Sequence, residues 1–191
     1  MMEILLIRHT TPNVEPGTCY GQSDLDVNGT FEKEASEIKK IIADFQPDSI
    51  FSSPLIRCSK LAQKLFPDLS FQRDDRLMEM SFGQWEKQLW QDLPKDKLDI
   101  WAKDFMHLSP PGGESFKDFI KRINEFETEV INKTNSTKTA IVTHSGVIRS
   151  FLMKYLNIPS DKIFNLHLNY GAVIKIDIHS AEYSQVKILK G

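Results

Sequence analysis

Short apolar runs alternate with helical repeats along the first third of the chain. Segment 3–7 is a short, largely apolar run without a helical period, which is typical of a strand buried on both faces of a sheet. Over 28–45 the apolar residues recur at three- and four-residue spacing, which predicts an amphipathic helix that Pro47 ends. Segment 49–52 predicts a second strand, and 54–65 a second helix with a proline suited to its first turn.

The middle of the chain is less regular. Residues 75–113 carry Trp85, Trp90 and Trp101 among charged side chains and close on a Pro-Pro-Gly-Gly turn. This pattern predicts an irregular helical insertion that lies over the sheet edge and would cover a site formed there.

The last third returns to a regular pattern. Ser115 is suited to cap the helix that follows it. The predicted elements are a helix, a strand, a helix and two strands, over 116–130, 139–142, 145–155, 172–178 and 183–189. The last two strands alternate well enough to form a hairpin at the sheet edge. Together the pattern predicts an α/β fold, a three-layer α/β/α sandwich with a mostly parallel central sheet, as a single domain over 1–191.

Composition narrows the classes of partner. The chain has 191 residues and a formal net charge of -2, so it lacks the basic footprint expected of a protein that binds nucleic acid or an anionic membrane. The N-terminus has no cationic leader, and no stretch reaches the length of a membrane span. Cys19 and Cys58 have no metal-ligand spacing, which favours free thiols in a reducing cytoplasm.

Cationic side chains follow the predicted strands at three places. The first strand ends in Arg8 and His9, the second leads to Arg57, and the third ends in His144 and Ser145. Ligands of open α/β sheets bind outside the carboxyl ends of the strands, so these side chains should meet at one edge. Two arginines and two histidines would repel one another unless a multiply charged anion lay among them, and a phosphoryl group suits them.

Each of these residues alone is a weak signal, because a single histidine or arginine is more often structural or solvated. Their joint placement at three strand ends is what indicates a phosphate-binding site. A phosphatase also needs a proton donor for the leaving alkoxide, for which Glu79 is the candidate. The pattern of residues alone does not choose Glu79 over Glu86 or Glu114.

Five blocks in this order resemble the histidine phosphatase superfamily, whose fold is that of the cofactor-dependent phosphoglycerate mutases. The blocks lie at 6–9, 52–57, 77–86, 111–115 and 142–149. The chain departs from the family pattern at Thr10 and Lys87, which stand where glycine is usual.

The resemblance implies a role for each candidate residue. His9 would be the nucleophile that forms a phosphohistidine, and Glu79 the proton donor. The resemblance implies a phosphate pocket and further substrate contacts formed by Arg8, Arg57, His144, Gln22 and Ser145. It implies no metal and no other cofactor.

Within the superfamily, residues 17–24 (Gly-Thr-Cys-Tyr-Gly-Gln-Ser-Asp) are similar to the α-ribazole-5'-phosphate phosphatases of cobalamin nucleotide-loop assembly. The expected partner is therefore a small phosphorylated metabolite, with Tyr20 and the tryptophans either stacking on its ring or packing under the insertion. The alternatives are a phosphoglycerate mutase, a broad-specificity phosphatase of the same fold, and a non-catalytic protein that binds phosphoesters. The oligomeric state stays open.

Overall fold

The computed structural model describes residues 1–131, 133, 135–180 and 182–191. Its strands are β1 (Met2–Arg8), β2 (Ser49–Ser52), β3 (Gln72–Arg73), β4 (Lys138–Thr143), β5 (Val173–Ile178) and β6 (Ser184–Lys190). Its helices are α1 (Phe31–Ile41), α2 (Ile56–Leu65), α3 (Lys95–Lys103), α4 (Phe116–Phe126) and α5 (Ser145–Leu156). Within these ranges no helix combines the length and apolarity needed to cross a bilayer.

The described residues build one six-stranded sheet in the order β3-β2-β4-β1-β5-β6. The four strands from β3 to β1 are parallel, whereas β5 and β6 run antiparallel as a hairpin. The mostly parallel sheet and the terminal hairpin are therefore confirmed. The two-residue strand β3 at the opposite edge was not predicted.

Helices cover both faces of the sheet, as the continuous apolar run in β1 requires. Successive side chains of a strand point to opposite faces. Ile4 and Leu6 accordingly pack in the cluster that contains α4 and α5, while Leu5 and Ile7 pack in the cluster that contains α1 and α2. The predicted three-layer α/β/α arrangement is confirmed.

Several helix boundaries differ from the sequence prediction. Helix α1 begins at Phe31 rather than near Asn28, because the Asn28 side chain accepts hydrogen bonds from the backbone N–H and the hydroxyl of Thr30 and forms a turn. Helix α2 begins at Ile56, two residues beyond the proline. Ser115 caps α4 by accepting from the Asp118 backbone N–H at 3.1 Å, as predicted, and after Phe126 the helix widens into a π-helical turn.

The strand register brings the carboxyl ends of β1, β4 and β2 to the same level. Arg8 lies opposite Thr143, and Ser52 lies opposite Val142. The residues that follow these strand ends therefore emerge side by side at one edge of the sheet.

Candidate active site

His9 follows β1 directly and is buried, with 1% of its surface exposed. Its Nδ1 lies 2.7 Å from the Thr10 carbonyl oxygen, which can only accept a hydrogen bond. In the neutral ring the proton therefore sits on Nδ1 and the lone pair on Nε2. Burial, with Arg57 and Arg8 nearby, holds the pKa of His9 well below its usual value. The arrangement produces a neutral imidazole with a nucleophilic Nε2.

Two arginines lie beside this ring. Arg57 is fully buried and donates to the carbonyl oxygens of Ser23 at 2.8 Å and Gly21 at 2.7 Å. Arg8 donates to the Leu168 carbonyl, and its guanidinium lies 4.1 Å from the ring centre of Tyr170.

The charges of these arginines are not compensated by protein. In the described part of the chain, the Nε of each is buried without a hydrogen-bond partner, and neither arginine forms an ion pair. A buried cation without a counter-ion is costly, so this cluster is suited to bind an anion.

His144 precedes the first residue of α5 and its ring centre lies 5.1 Å from that of His9. Its Nε2 lies 2.8 Å from the Ser53 hydroxyl and 3.5 Å from the Cys58 sulfur. Burial, together with Arg57 and His9, lowers the pKa of His144 well below its usual value. Burial, reinforced by the nearby Arg57 and Arg8, thus lowers the pKa of both histidines.

Glu79 is held at the N-terminus of α5. Its carboxylate accepts from the Gly146 backbone N–H at 3.1 Å and from the Ser145 hydroxyl at 3.3 Å. A Cβ atom on residue 146 would lie 2.2 Å from Glu79 Oε1, so the close approach depends on glycine. The helix N-terminus also favours a negative charge at this point.

The two further residues predicted to bind substrate support Glu79 in this structure. Ser145 donates to its carboxylate, and the Gln22 side-chain amide donates to its carbonyl oxygen at 3.0 Å. Arg122, which sequence reasoning missed, donates to the same carbonyl at 2.9 Å. A direct contact of Gln22 or Ser145 with substrate stays a prediction.

The other two candidate acids have structural hydrogen bonds. Glu86 accepts from the backbone N–H groups of Gln22 at 3.0 Å and Ser23 at 2.6 Å, which fixes the loop that carries Tyr20. Glu114 pairs with Arg122 at 2.8 Å. Of the three carboxylates that the sequence left open, Glu79 is the one that lines the aromatic cavity described below.

Tyr170 completes the surroundings of His9 and was not predicted. Its ring centre lies 5.6 Å from that of His9, and its hydroxyl lies 3.1 Å from that of Tyr20. Tyr20 in turn lies under Arg57, at 5.1 Å from its guanidinium carbon. The two tyrosines thus join two loops across the cationic cluster. No spacing in the sequence distinguishes Tyr170.

An aromatic cavity of about 290 Å³ opens beside Glu79. Its wall includes Tyr20, Trp90, Trp101 and Arg149. Trp85 is not part of this wall, since it is buried in a packing cluster with Cys19 and Leu93. Glu79 and Tyr20 both line this cavity, and Tyr20 also lies under Arg57 of the cationic cluster.

The two departures from the family pattern differ in consequence. Lys87 adopts φ +67, in the left-handed region that favours glycine, which explains why glycine is usual there. Thr10 is buried and supplies the carbonyl that orients His9.

Cys19 and Cys58 are buried free thiols, and no group of three His, Cys, Asp or Glu side chains in the described ranges is arranged to hold a metal ion.

Comparison with known proteins agrees with this geometry. Residues 4–189 match the model of the histidine phosphatase superfamily (branch 1). The chain is 24% identical to the adenosylcobalamin/alpha-ribazole phosphatase of Escherichia coli, over 98% of this chain and 95% of that protein. It is 27% identical to a putative phosphoserine phosphatase 2 of Hydrogenobacter thermophilus, and this match covers 100% of this chain and 96% of that protein.

The fold is likewise that of a solved structure, the alpha-ribazole phosphatase from Shigella flexneri. The TM-score is 0.89 at 23% identity, and the match covers 100% of this chain and 96% of that one. The chain therefore belongs to the histidine phosphatase superfamily, has the phosphoglycerate mutase-like fold and is a phosphoric monoester hydrolase.

Proposed function

We propose that this phosphatase works through a phosphohistidine on His9 and that its natural substrate is α-ribazole-5'-phosphate. The observation that carries the mechanism is a buried His9, with its Nε2 lone pair free, beside Arg57 and Arg8, neither of which forms an ion pair in the described part of the chain. A nucleophile beside a cationic pocket is what phosphoryl transfer through a phosphohistidine needs, which supports the proposal.

In the first step, His9 Nε2 attacks phosphorus in line with the ester bond. The N–P bond forms as the bond to the leaving oxygen breaks, while Arg8, Arg57 and His144 stabilise the charge on the transferring oxygens. Glu79 donates a proton to the departing alkoxide. Its place in the wall of the aromatic cavity, at the N-terminus of α5, supports this role.

In the second step, water attacks the phosphohistidine. Glu79, now a carboxylate, takes a proton from that water, and the bond between phosphorus and His9 Nε2 breaks to release inorganic phosphate. The Thr10 carbonyl keeps the His9 ring in one orientation through both steps. The cycle regenerates both His9 and Glu79.

The cavity supports the substrate assignment. A flat ring can stack on Trp90 or Trp101 in the cavity while the phosphate lies in the cationic cluster, to which the cavity is joined by Tyr20 under Arg57. The similar proteins of Escherichia coli and Shigella flexneri are both named as alpha-ribazole phosphatases, which supports this choice of substrate. The name of the Hydrogenobacter thermophilus relative points instead to phosphoserine, which lacks a ring.

The test compares kcat/KM for three substrates: α-ribazole-5'-phosphate, 3-phosphoglycerate and O-phosphoserine. We expect a preference of at least about tenfold to a hundredfold for the first, since one aromatic stack contributes on the order of 1 to 3 kcal/mol. Trp90→Ala should remove most of the preference. Equal efficiency on all three substrates would refute the substrate assignment, whereas trapping of a phosphoenzyme tests the mechanism independently.

A further inference from the structure

The nucleophile and the residues around it are closed to solvent in this structure. His9 exposes 1% of its surface, and Arg57 and His144 expose none. Phosphorus must come within about 3 to 3.5 Å of the attacking nitrogen before it reacts. A space beside His9 that could hold a phosphoryl group would leave the imidazole ring open to water, and the exposed fraction of His9 excludes such a space. Part of the site must therefore move before a substrate reaches His9.

Two tyrosines lie between His9 and solvent. In the described part of the chain, the rings whose centres lie nearest to that of His9 are His144 at 5.1 Å, Tyr170 at 5.6 Å and Tyr20 at 6.4 Å. His144 is fully buried, whereas both tyrosines are partly exposed. The tyrosines therefore form the outer side of the site, and His144 forms its floor.

A hydrogen bond joins the two tyrosines over the site. The hydroxyls of Tyr20 and Tyr170 lie 3.1 Å apart, although the two residues are 150 positions apart in the chain. The Tyr170 ring centre lies 4.1 Å from the guanidinium carbon of Arg8, and the Tyr20 ring centre lies 5.1 Å from that of Arg57. A cation is attracted to the face of an aromatic ring, so both contacts stabilise the closed arrangement.

Of the two tyrosines, Tyr170 is the one that can move without disturbing its loop. The loop of Tyr20 is held by Arg57, which donates hydrogen bonds to two of its carbonyl oxygens. Tyr170 lies instead in a tight turn that the Ala172 backbone N–H closes by donating to the Asn169 carbonyl at 3.1 Å. Because backbone atoms close this turn, the Tyr170 side chain can rotate outward and leave the turn intact.

We propose that Tyr170 is a gate over the phosphate site and that its hydrogen bond to Tyr20 holds the gate closed. A phosphoryl group gives Arg8 and Arg57 a stronger counter-charge than a tyrosine ring does, and it occupies space that the closed rings fill. The open form alone binds the substrate, and binding shifts the population toward that form. The inference rests on the proposed function in so far as the phosphoryl group enters beside His9.

The first measurement is the access of a reagent to His9. Diethyl pyrocarbonate acylates an accessible neutral imidazole, and peptide mass spectrometry follows each histidine separately. His107 is the internal reference, because its side chain is exposed. In the wild type we expect His9 to react far more slowly than His107. Equal rates for the two histidines would mean that the site is open and would overturn the inference.

Tyr170→Phe removes the hydroxyl and keeps the ring. Loss of one hydrogen bond should raise the labelling rate of His9 about twofold to tenfold. Competitive inhibition by inorganic phosphate should become tighter by the same factor, because the apparent affinity rises with the fraction of molecules in the binding-competent form. A hydroxyl that contacted the anion would instead weaken inhibition when removed. An unchanged labelling rate, or a phosphate affinity that stays equal or falls, would overturn the inference.

Further variants test whether one shared hydrogen bond is responsible. Tyr20→Phe breaks the same bond from the other side, so the double variant Tyr20→Phe/Tyr170→Phe should show no larger effect than either single variant. Effects that multiply in the double variant would contradict a shared bond. Tyr183→Phe, at an exposed tyrosine just before β6, is the matched control and should change neither measurement.

Thermal melting identifies any variant whose folded fraction has fallen. Labelling measures access to His9 and does not depend on catalysis, whereas phosphoenzyme trapping measures the role of His9 as nucleophile. The gate and the phosphohistidine mechanism can therefore fail separately.

Discussion

Gly146 provides a sharp test of the role of Glu79. It is the second residue of α5, and an added Cβ would lie 2.2 Å from Glu79 Oε1 and 3.0 Å from Phe119 Cζ. Gly146→Ala therefore displaces the carboxylate from the helix N-terminus without touching the nucleophile or the arginines. The nearer obstacle is the far end of a flexible side chain, so the fold can accommodate the substitution.

The size of the effect follows from this geometry. To restore an ordinary contact, the carboxylate must move by roughly 1 Å, and a misplacement of that size costs about a hundredfold in rate. Stability should change little, because alanine is about 1 kcal/mol more favourable than glycine inside a helix. The gain in helix propensity offsets the small shift required of Phe119. Activity and stability should therefore respond differently to one substitution.

The assay measures kcat/KM for an alkyl phosphate and for p-nitrophenyl phosphate, together with thermal melting. We expect about a hundredfold loss on the alkyl substrate and a much smaller loss on the aryl substrate, whose leaving group departs without a proton. Gly29→Ala is the matched control, since nothing lies within 4 Å of an added Cβ there. Wild-type turnover of the alkyl phosphate by Gly146→Ala would refute the placement of Glu79 as proton donor.

Three further predictions address the nucleophile, the acid and the buried histidines. His9→Ala should abolish an acid-labile, base-stable phosphoenzyme and lower turnover by several orders of magnitude; a normal phosphoenzyme in that variant would remove His9 as nucleophile. Glu79→Gln should impair alkyl phosphates far more than aryl phosphates, and equal losses would point to another acid. Folding lowers the pKa of His9 and of His144. As the pH falls below 6.5, these two histidines therefore become protonated in the unfolded chain while they are still neutral in the folded protein. The free energy of unfolding, measured with urea, should therefore fall by up to about 1.4 kcal/mol per pH unit for each histidine as the pH is lowered below 6.5. His9→Asn should roughly halve that slope, and a slope unchanged in this variant would contradict the buried, neutral state of His9.

Local patterns in the sequence were enough to predict the layers of the fold and the sheet edge at which the cationic residues gather. The apolar run of β1 required cover on both faces of the sheet, and the helical repeats supplied that cover. Arg8, His9 and His144 follow strands whose direction the alternation of strands and helices already implied. These conclusions depend on local periodicity and chain direction, which a single sequence records.

Residue spacing alone did not choose among the three candidate carboxylates; the family resemblance named Glu79, and the folded structure shows how the surroundings of the three differ. Glu79, Glu86 and Glu114 look alike in sequence, and they differ because Gly146, the loop at Ser23 and Arg122 approach them from distant parts of the chain. The same holds for Tyr170 beside His9. Such contacts join residues that are far apart in the chain, so they leave no periodic pattern in the sequence. They exist only once the sheet register and the helix packing have brought those segments together.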